Sequence, residues 1–332
     1  MKLRFLVFFL VILLIGTFTL DKYDNNITGN AIKEIIPNEI GAEPIIYFCP
    51  RDNCSQALFE FISSANESIH CALFDLDLDN IIKLLQDKSK QIDVKLVIDN
   101  DYYEELKENK FIKKDTSSQF THNKFCIIDN KKISTGSFNP TNRGAYFNNN
   151  NLIIIDSQYL AQNYEDEFKE LWNHTFGKGK IVKRPIISYN NKRIENYFCP
   201  EDKCSKNIIN EVKKATQSIH FMTFSFTHTA IGTELVLKLK QGVEINGIFE
   251  NRGSGSKYSR FNLLRYQGAN IIKDKNPYVM HHKVFIIDNK TVITGSFNPS
   301  KNADTRNDEN ILIIEDENIA KRYIEEFSLL FS

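Results

Sequence analysis

A segment of nineteen residues occurs twice in this chain, with the same polar residues at the same places. The first copy, THNKFCIIDNKKISTGSFN, covers residues 121–139, and the second, MHHKVFIIDNKTVITGSFN, covers residues 280–298. Each copy has a His, a Lys two residues later, an Asp, and a final Gly-Ser-Phe-Asn. Repetition of this fidelity indicates that the chain is built from two similar units.

The similarity between the two units extends beyond this segment. Upstream of it, the stretch IIYFCPRDNC corresponds to IENYFCPEDKC, and His70 corresponds to His220. The second unit is nine residues longer between this point and the His-Lys segment, and the extra residues follow Glu250. A repeat of this length predicts two structural halves rather than a short solenoid.

Each half alternates strand patterns with helix patterns. Residues 45–48 and 68–76 are apolar runs typical of strands, and residues 55–65 carry apolar side chains at helical spacing. The sequence therefore predicts the α/β class, with a mixed sheet flanked by helices in each half. The predicted domains are an N-terminal hydrophobic helix (1–24), a polar tether (25–43), a first half (44–176), a connector (177–192) and a second half (193–332).

The N-terminal segment is uncharged from residue 5 to residue 20 and follows Lys2 and Arg4. This pattern fits either a membrane anchor or the apolar region of a cleaved signal peptide. The absence of a clear small-residue cleavage site favours the anchor. Positive flanking charge places the N-terminus on the cytoplasmic side, so the rest of the protein is predicted to be extracytoplasmic, or secreted if the segment is cleaved.

Six cysteines fit an oxidising compartment. Two pairs lie in the repeated motifs YFCPRDNC and YFCPEDKC, and the disulfide candidates are Cys49, Cys54, Cys199 and Cys204. A zinc site or free thiols remain alternatives for these four residues. Cys71 and Cys126 lie in apolar runs, which predicts that they are buried as small hydrophobic residues.

The charge balance argues against a protein that holds nucleic acid by bulk electrostatics. The 42 basic and 42 acidic residues give a net charge of zero. A local basic region remains possible in the second-half insertion, where basic and aromatic residues alternate. These residues are Arg252, Lys257, Arg260, Arg265, Tyr258, Phe261 and Tyr266. They predict a single-strand or lipid-head-group contact, or simply a helix with a solvated basic face.

The repeated segment can place several polar groups on one surface. Because strand residues two apart share a face, His122 projects with Lys124 and His281 with Lys283, whereas His282 points away and is predicted to be structural. The Gly-Ser-Phe-Asn that follows can return on the neighbouring strand. The candidate phosphate-binding residues are Ser137, Asn139, Ser296 and Asn298.

These residue types fit a tetrahedral oxyanion. Lys supplies charge, Asn and Ser supply hydrogen bonds, and His can act as nucleophile, acid or base near neutral pH. Two facing sets could attack phosphorus from one side and protonate the leaving oxygen on the other. No residues with metal-ligand spacing lie near either segment, so we expect no metal or other cofactor in the chemistry.

The pattern H-x-K-x4-D-x6-G-S-x-N, present twice, resembles the phospholipase D superfamily over about residues 44–332. The resemblance implies two α/β halves packed with pseudo-two-fold symmetry, one shared active site, and a phosphohistidine intermediate formed without metal. The catalytic set implied is His122, Lys124, Asp129, His281, Lys283 and Asp288. The two aspartates stand at turns, which favours a hydrogen-bonding role for them over acid catalysis.

The resemblance also implies a downstream carboxylate that orients a catalytic histidine. Glu309 matches this position in the second half, and we assign it to His281; the first half has Asn150 instead. By the same resemblance His122 is the nucleophile and His281 the general acid. A carboxylate favours a protonated imidazole, which fits an acid, although it would also fit a stabilised phosphohistidine.

The motifs recognise the phosphate and leave the attached groups undetermined. A phospholipase D-type phosphodiesterase acting on lipid head groups or a broad range of diesters is the first hypothesis. A membrane-tethered nuclease, a phosphatidyl transferase resembling cardiolipin synthase, and a non-catalytic anion-binding module are the alternatives. Expected partners are a phosphodiester substrate and, through residues 5–20, the membrane; no protein partner is implied, and one chain suffices for one site.

Overall fold

The computed structural model describes residues 36–332, which form one compact unit. The predicted membrane segment, residues 5–20, lies outside the described residues. Within residues 36–332, no helix combines the length and apolar character needed to cross a membrane.

Each half contributes one mixed β-sheet. The first-half strands are β2 (Ile45–Cys49), β3 (Ser68–Leu73), β4 (Asp93–Ile98), β5 (Ile112–Lys114), β6 (Lys124–Ile128), β7 (Lys132–Gly136) and β8 (Asn150–Asp156). The other sheet contains β1 (Asn38–Glu39), β9 (Ile186–Tyr189), β10 (Lys192–Cys199), β11 (Ser218–Thr223), β12 (Glu244–Phe249), β13 (Asn270–Lys273), β14 (Lys283–Ile287), β15 (Thr291–Gly295) and β16 (Glu309–Glu315).

The two sheets repeat one topology. The first has the spatial order β2-β8-β7-β6-β3-β4-β5, and the second has the order β1-β9-β10-β16-β15-β14-β11-β12-β13. The last seven strands of the second order correspond one by one to the first sheet. In each of these seven-strand sets, the three strands at one edge are parallel to one another and the remaining neighbours pair antiparallel. The predicted α/β class with two similar halves is confirmed.

Helices cover both faces of the sheets. They are α1 (Cys54–Ser63), α2 (Asp79–Lys88), α3 (Asn142–Tyr146), α4 (Gln158–Trp172), α5 (Cys204–Lys214), α6 (Thr229–Lys240), α7 (Asn251–Ser254), α8 (Phe261–Tyr266), α9 (Lys301–Thr305) and α10 (Glu317–Phe331), with a short 3-10 turn at Asn100–Tyr102. One buried core combines residues of both sheets with α4 and α10, and two further cores lie under α1–α2 and α5–α6. The shared central core joins the halves.

The predicted tether and connector both contain sheet strands. Strand β1, from the end of the tether, pairs in parallel with β9, which lies within the predicted connector. Strand β9 in turn pairs with β10. Both segments therefore extend the second sheet, because their backbone groups find partners at its free edge.

The Gly-Ser-Phe-Asn motif begins where β7 and β15 end. Gly136 and Gly295 have φ of 135° and 137°, and a Cβ at either position would come within 2.3 Å of the backbone oxygen of Asn151 or Asn310. Only glycine combines this backbone conformation with so close an approach of the neighbouring strand. The motif glycine thereby allows each chain to turn tightly toward the site.

The motif aspartates lie at the opposite end of their strands, outside the site. Asp129 and Asp288 occupy hairpin turns with φ of 53° and 50°. The carboxylate of Asp129 accepts hydrogen bonds from the backbone N–H groups of Asn66, Glu67 and Ser68 at 2.7–3.1 Å. Their inclusion among catalytic residues was wrong; these aspartates fix the start of the neighbouring strand.

Replacing Asp129 by Ala should therefore affect stability rather than catalysis. Burial opposes ionisation, but the N–H donors outweigh it and hold the pKa of Asp129 below its usual value. A lowered folded-state pKa gives stability above the unfolded pKa that is lost as pH falls through the folded value. We expect about 1–2 kcal/mol less unfolding free energy at pH 7, measured by urea denaturation. A loss of kcat beyond twofold in the folded variant would contradict this role.

All six cysteines form disulfides. The predicted pairs Cys49–Cys54 and Cys199–Cys204 are present. Cys71 and Cys126 are buried, as predicted, but they form a third bridge between directly paired residues of β3 and β6. The equivalent residues of the second half, Phe221 and Phe285, pack their rings 5.8 Å apart. Sequence reasoning missed the third bridge because its partners lie far apart in sequence.

Candidate active site

Two short backbone bridges connect the halves at the site. Thr121 pairs with Asp308, and Asn149 pairs with Met280. The backbone N–H of His122 donates to the Asp308 carbonyl at 2.9 Å. The same contact joins the N–H of His281 to the Asn149 carbonyl at 2.9 Å. The bridges thus hold each of these two histidines against the opposite half. The residue that each histidine meets there is the one directly after the bridging residue in sequence.

The first histidine has a carboxylate partner. Nδ1 of His122 lies 2.8 Å from Oε2 of Glu309, which is completely buried. The hydroxyl of Ser296 donates to the same oxygen at 2.6 Å, and Asn307 Nδ2 lies 3.5 Å from Oε1. These contacts fix the ring and leave Nε2 of His122 for the substrate.

The second histidine has an amide partner. Nδ1 of His281 lies 2.7 Å from Oδ1 of Asn150 and 3.0 Å from the carbonyl of Ser137. Because both atoms are acceptors, Nδ1 carries the proton and Nε2 remains for the substrate. Our assignment of Glu309 to His281 was wrong: the bridges between the halves exchange the partners, so Glu309 orients His122.

The two lysines are oriented through backbone and aromatic contacts. Nζ of Lys124 donates to the carbonyl of His122 at 2.6 Å, and Nζ of Lys283 donates to that of His281 at 2.9 Å. Phe74 lies under Lys124 at 5.0 Å and packs edge-on against His122, and Phe224 repeats this arrangement in the second half. The aromatic faces favour the ammonium groups while excluding water.

The charges of the site are not balanced. Burial lowers the pKa of Lys124 to about 7, against the attraction of Glu309, and lowers that of Lys283 well below its usual value. Burial and the nearby lysines also hold the pKa of both His122 and His281 well below 6.5. The pKa of Glu309 is raised by burial to about 8, opposed by the lysines. Burial thus disfavours the positive forms of the lysines and histidines, and a bound anion would favour them.

Anion affinity should therefore depend on pH in a definite direction. We expect sulfate, whose charge is constant near neutral pH, to bind progressively more weakly as pH rises through about 7, because Lys124 then loses its proton. Isothermal titration calorimetry between pH 6 and about 9 would measure the change. Lys124→Arg, which stays charged, should flatten the profile. A sulfate affinity of the wild-type protein that is constant over this range would contradict the assignment.

The motif serines and asparagines have different roles. The hydroxyl of Ser137 donates to Asn151 Oδ1 at 3.1 Å, and that of Ser296 donates to Glu309. Both serines are fully buried and hydrogen-bond neighbouring side chains, whereas their role as phosphate ligands stays a prediction. Within residues 36–332, the side chains of Asn139 and Asn298 form no hydrogen bond and have buried Oδ1 atoms, so both remain available to substrate.

His282 has the structural role that was predicted for it. Its ring is fully buried, with Nδ1 3.3 Å from Asn151 Oδ1 and Nε2 3.5 Å from Glu326. The equivalent residue, Asn123, accepts from Asn310 Nδ2 at 2.8 Å. These buried polar contacts cross between the halves and support the alignment of the two histidines.

A cavity of about 550 Å³ opens next to His281. Its lining is mixed: acidic residues, two arginines and aromatic rings contribute. They include Asp75, Asp77, Glu250, Arg143, Arg252, Tyr102, Phe224 and Asn139. Sequence reasoning missed Phe74, Asp75, Asp77 and Phe224. These residues directly follow β3 and β11, and Phe74 and Phe224 occupy equivalent places in the repeat. This repetition was the sequence signal that could have identified them as site residues.

The basic insertion contributes little to this cavity. Of its seven predicted contact residues, only Arg252 borders the cavity. Phe261 is 3% exposed and belongs to the core, and Arg260 donates to the carbonyl of Tyr258. Tyr266 is 88% exposed on α8. The insertion forms two short helices rather than a continuous aromatic platform along the site.

The two α/β halves each supply one histidine and one lysine to a common site. This arrangement defines a class of phosphoryl-transfer enzymes. The family model "Cardiolipin synthase, PLD-like domain" matches residues 58–172 and 208–331, and the chain belongs to this phospholipase D-like family. It is accordingly a phosphodiesterase of the phospholipase D type.

Known proteins are similar over parts of the chain or in fold. A phospholipase D of Rickettsia conorii (strain ATCC VR-613 / Malish 7) is 34% identical over 140 residues, covering 42% of this chain and 70% of the relative. The mitochondrial cardiolipin hydrolase of Homo sapiens is 32% identical over 117 residues, covering 35% and 46%. Phosphatidylserine synthase of Haemophilus influenzae Rd KW20 has the same fold, with a TM-score of 0.66, 13% identity, and coverage of 86% and 85%.

Proposed function

We propose that the protein hydrolyses a phosphodiester by two displacements at phosphorus, with His122 as nucleophile and His281 as general acid and then base. The observation that carries the assignment is the difference between the two imidazole partners. Glu309 can stabilise the positive charge that His122 acquires on phosphorylation, whereas the Asn150 amide only fixes the tautomer of His281.

In the first displacement, Nε2 of His122 attacks phosphorus and the bond to the leaving oxygen breaks. The ring becomes cationic, and the carboxylate of Glu309 lies at its Nδ1–H. Protonated His281 gives its proton to the leaving alcohol. Its pKa is low in the empty site, chiefly through burial, and the anionic substrate favours its protonated form.

In the second displacement, water attacks the phosphohistidine. His281, now neutral, takes a proton from the water as the new P–O bond forms and the P–N bond breaks. This returns His122 to its neutral state and His281 to its protonated state. Lys124, Lys283 and the amides of Asn139 and Asn298 are the candidates that hold the non-bridging oxygens in both steps.

We propose a phospholipid head group as the substrate. The acidic residues Asp75, Asp77 and Glu250 border the cavity together with Tyr102 and Phe224, which suits a cationic or hydroxyl-bearing head group more than a polyanionic strand. The apolar residues 5–20 would hold the site near lipid, on the extracytoplasmic side. Since one chain contains both His-Lys sets, a monomer would suffice.

The test compares substrates with the full chain transferred from detergent into lipid vesicles, in EDTA. Phosphatidylethanolamine vesicles, phosphatidylglycerol vesicles and labelled single-stranded DNA are offered separately, and released head group or cut DNA is measured. Head-group release that is lost in His122→Asn supports the proposal. Cut DNA with intact lipid would make the protein a nuclease, and transfer to added alcohol in preference to water would make it a phosphatidyl transferase.

The acidic lining gives a further prediction on head-group choice. Asp75→Asn should lower kcat/KM for phosphatidylethanolamine by about tenfold and leave that for phosphatidylglycerol within about twofold, because only the amine gains from the charge. Initial rates with both lipids in the same vesicles measure the ratio. Equal losses with both lipids would show that Asp75 acts on the site as a whole.

A further inference from the structure

The internal repeat offers a comparison between two equivalent places in one molecule. Arg51, which follows the first Cys-Pro pair, forms an ion pair with Glu326 of α10 at 2.8 Å. At the equivalent place in the repeat, Glu201 stands where Arg51 does, and Glu167 of α4 stands where Glu326 does. An arginine–glutamate pair is thus replaced by two facing glutamates, and no side chain of residues 36–332 supplies the missing positive charge.

A third carboxylate joins this pair. One oxygen from each of Glu167, Glu170 and Glu201 lies within 4.8 Å of the other two. Glu167 is only 5% exposed, and Oε2 of Glu201 is buried without a hydrogen-bond partner among the described residues. Burial and mutual repulsion raise the pKa of Glu167 well above its usual value, and chiefly burial raises that of Glu201 to about 7.

No positive side chain compensates these charges within the described chain. Lys169, Lys178 and Lys180 border the adjoining cavity of about 560 Å³, but none forms an ion pair with the three carboxylates. The backbone N–H of Lys180 donates to Glu170 at 3.0 Å. Carboxylates buried in this way need a counter-charge or a shared proton.

The connector closes over the three carboxylates at a glycine. A Cβ on Gly179 would lie 2.3 Å from Oε2 of Glu170 and 2.7 Å from Oε1 of Glu201. A side chain at this position would therefore occupy the space between the carboxylate oxygens and the connector. The φ of Gly179 lies outside the left-handed region, so close approach rather than backbone conformation requires the glycine.

We propose that Glu167, Glu170 and Glu201 bind a divalent cation, which supplies here the positive charge that Arg51 supplies at the equivalent place in the repeat. An all-oxygen donor set favours Ca²⁺, and ligand atoms about 2.3–2.6 Å from such an ion would lie within the observed separation. The adjoining cavity leaves room for water ligands. The cation would link α4 of the first half to the second-half disulfide loop.

This cation is structural and lies apart from the proposed chemistry. Hydrolysis in EDTA would therefore continue below the melting temperature, while the stability of the fold would fall. The proposal does not depend on which phosphodiester the enzyme cleaves. Its readouts are stability and binding stoichiometry, so it can fail or succeed independently of the proposed function.

The experiment uses the full chain in detergent, freed of metal with EDTA and then titrated with CaCl₂. We expect one Ca²⁺ per chain by calorimetry, with a dissociation constant on the order of 10⁻⁴ M. Saturating Ca²⁺ should raise Tm by about 4 °C. The matched control is Asp166→Asn on the same helix, whose carboxylate pairs with Lys183, and it should keep the response.

Two variants decide the assignment. Glu167→Gln should lose Ca²⁺ binding. Glu201→Arg copies the arrangement of Arg51 and Glu326, so it should raise Tm in EDTA and abolish the Ca²⁺ response. If Glu167→Gln does not fold, Glu201→Arg alone decides. Two outcomes would overturn the proposal: the wild-type protein does not bind Ca²⁺, or Glu201→Arg keeps the Ca²⁺ response. If the wild-type protein does not bind Ca²⁺, the carboxyl groups share a proton instead.

Discussion

Mixing His281→Asn with bis(p-nitrophenyl) phosphate should release one nitrophenol per enzyme in a rapid burst and then almost stop. Nitrophenolate leaves without protonation, so the first displacement does not need His281. The second displacement does, because water must lose a proton as it attacks the phosphohistidine. We expect steady-state turnover to fall by about 10³-fold while the burst remains, measured by stopped-flow absorbance.

The same experiment distinguishes the two histidines. His122→Asn should show no burst and a loss of turnover of at least about 10⁴-fold, because the nucleophile itself is absent. The adduct trapped in His281→Asn should be found on His122 by mass spectrometry under alkaline conditions. Asp288→Asn, altered at the turn outside the site, is the control and should turn over normally. A burst from His122→Asn with an adduct on His281 would reverse the assigned roles.

Glu309→Gln should lower kcat by about 10²–10³-fold, whereas Asn150→Ala should lower it by only about tenfold. The glutamine keeps the size and an acceptor oxygen but removes the charge that faces the phosphorylated His122 ring. Asn150→Ala removes a neutral acceptor, and the Ser137 carbonyl still contacts Nδ1 of His281. The larger effect of Glu309→Gln comes from weaker stabilisation of the positive charge on His122, because the position of the ring is kept.

Steady-state kinetics of both variants with an activated diester would measure these losses. Circular dichroism and Tm establish that the variants are folded. Ser296→Ala provides a matched control, because it removes one hydrogen bond to Glu309 and keeps the carboxylate. Its kcat should fall by less than that of Glu309→Gln. Equal and small losses in Glu309→Gln and Asn150→Ala would contradict the importance of the carboxylate for His122.

Several features of the site follow from local sequence. The His-x-Lys spacing puts Lys124 at the start of β6 and His122 two residues before it, and the Asp-Asn pairs predict turns that the structure contains at Asp129 and Asp288. The glycine of each Gly-Ser-Phe-Asn is required by backbone conformation and by the approach of a neighbouring strand. Such features depend on residues near one another in the chain or repeated along it, so a single sequence is enough to reveal them.

Other features depend on contacts between distant segments. Asp75 and Asp77 border the cavity because the loop after β3 meets the loops of the second half there. The bridge between Cys71 and Cys126 exists because β3 and β6 are neighbours in the sheet. Part of the predicted connector, Ile186–Tyr189, forms strand β9 because its backbone pairs with β10 at the edge of the second sheet. In each case the sequence contains the residues but no local pattern that specifies their partners.

The sequence by itself determined two homologous α/β halves, the two His-Lys sets and the phosphoryl chemistry that they support. Only the tertiary structure decided that Glu309 contacts His122 and Asn150 contacts His281, and that Ser137 and Ser296 donate hydrogen bonds to Asn151 and Glu309. The reason is physical: periodicity and turn chemistry act over a few residues, whereas these pairs are fixed by the backbone bridges through which each half contacts the other.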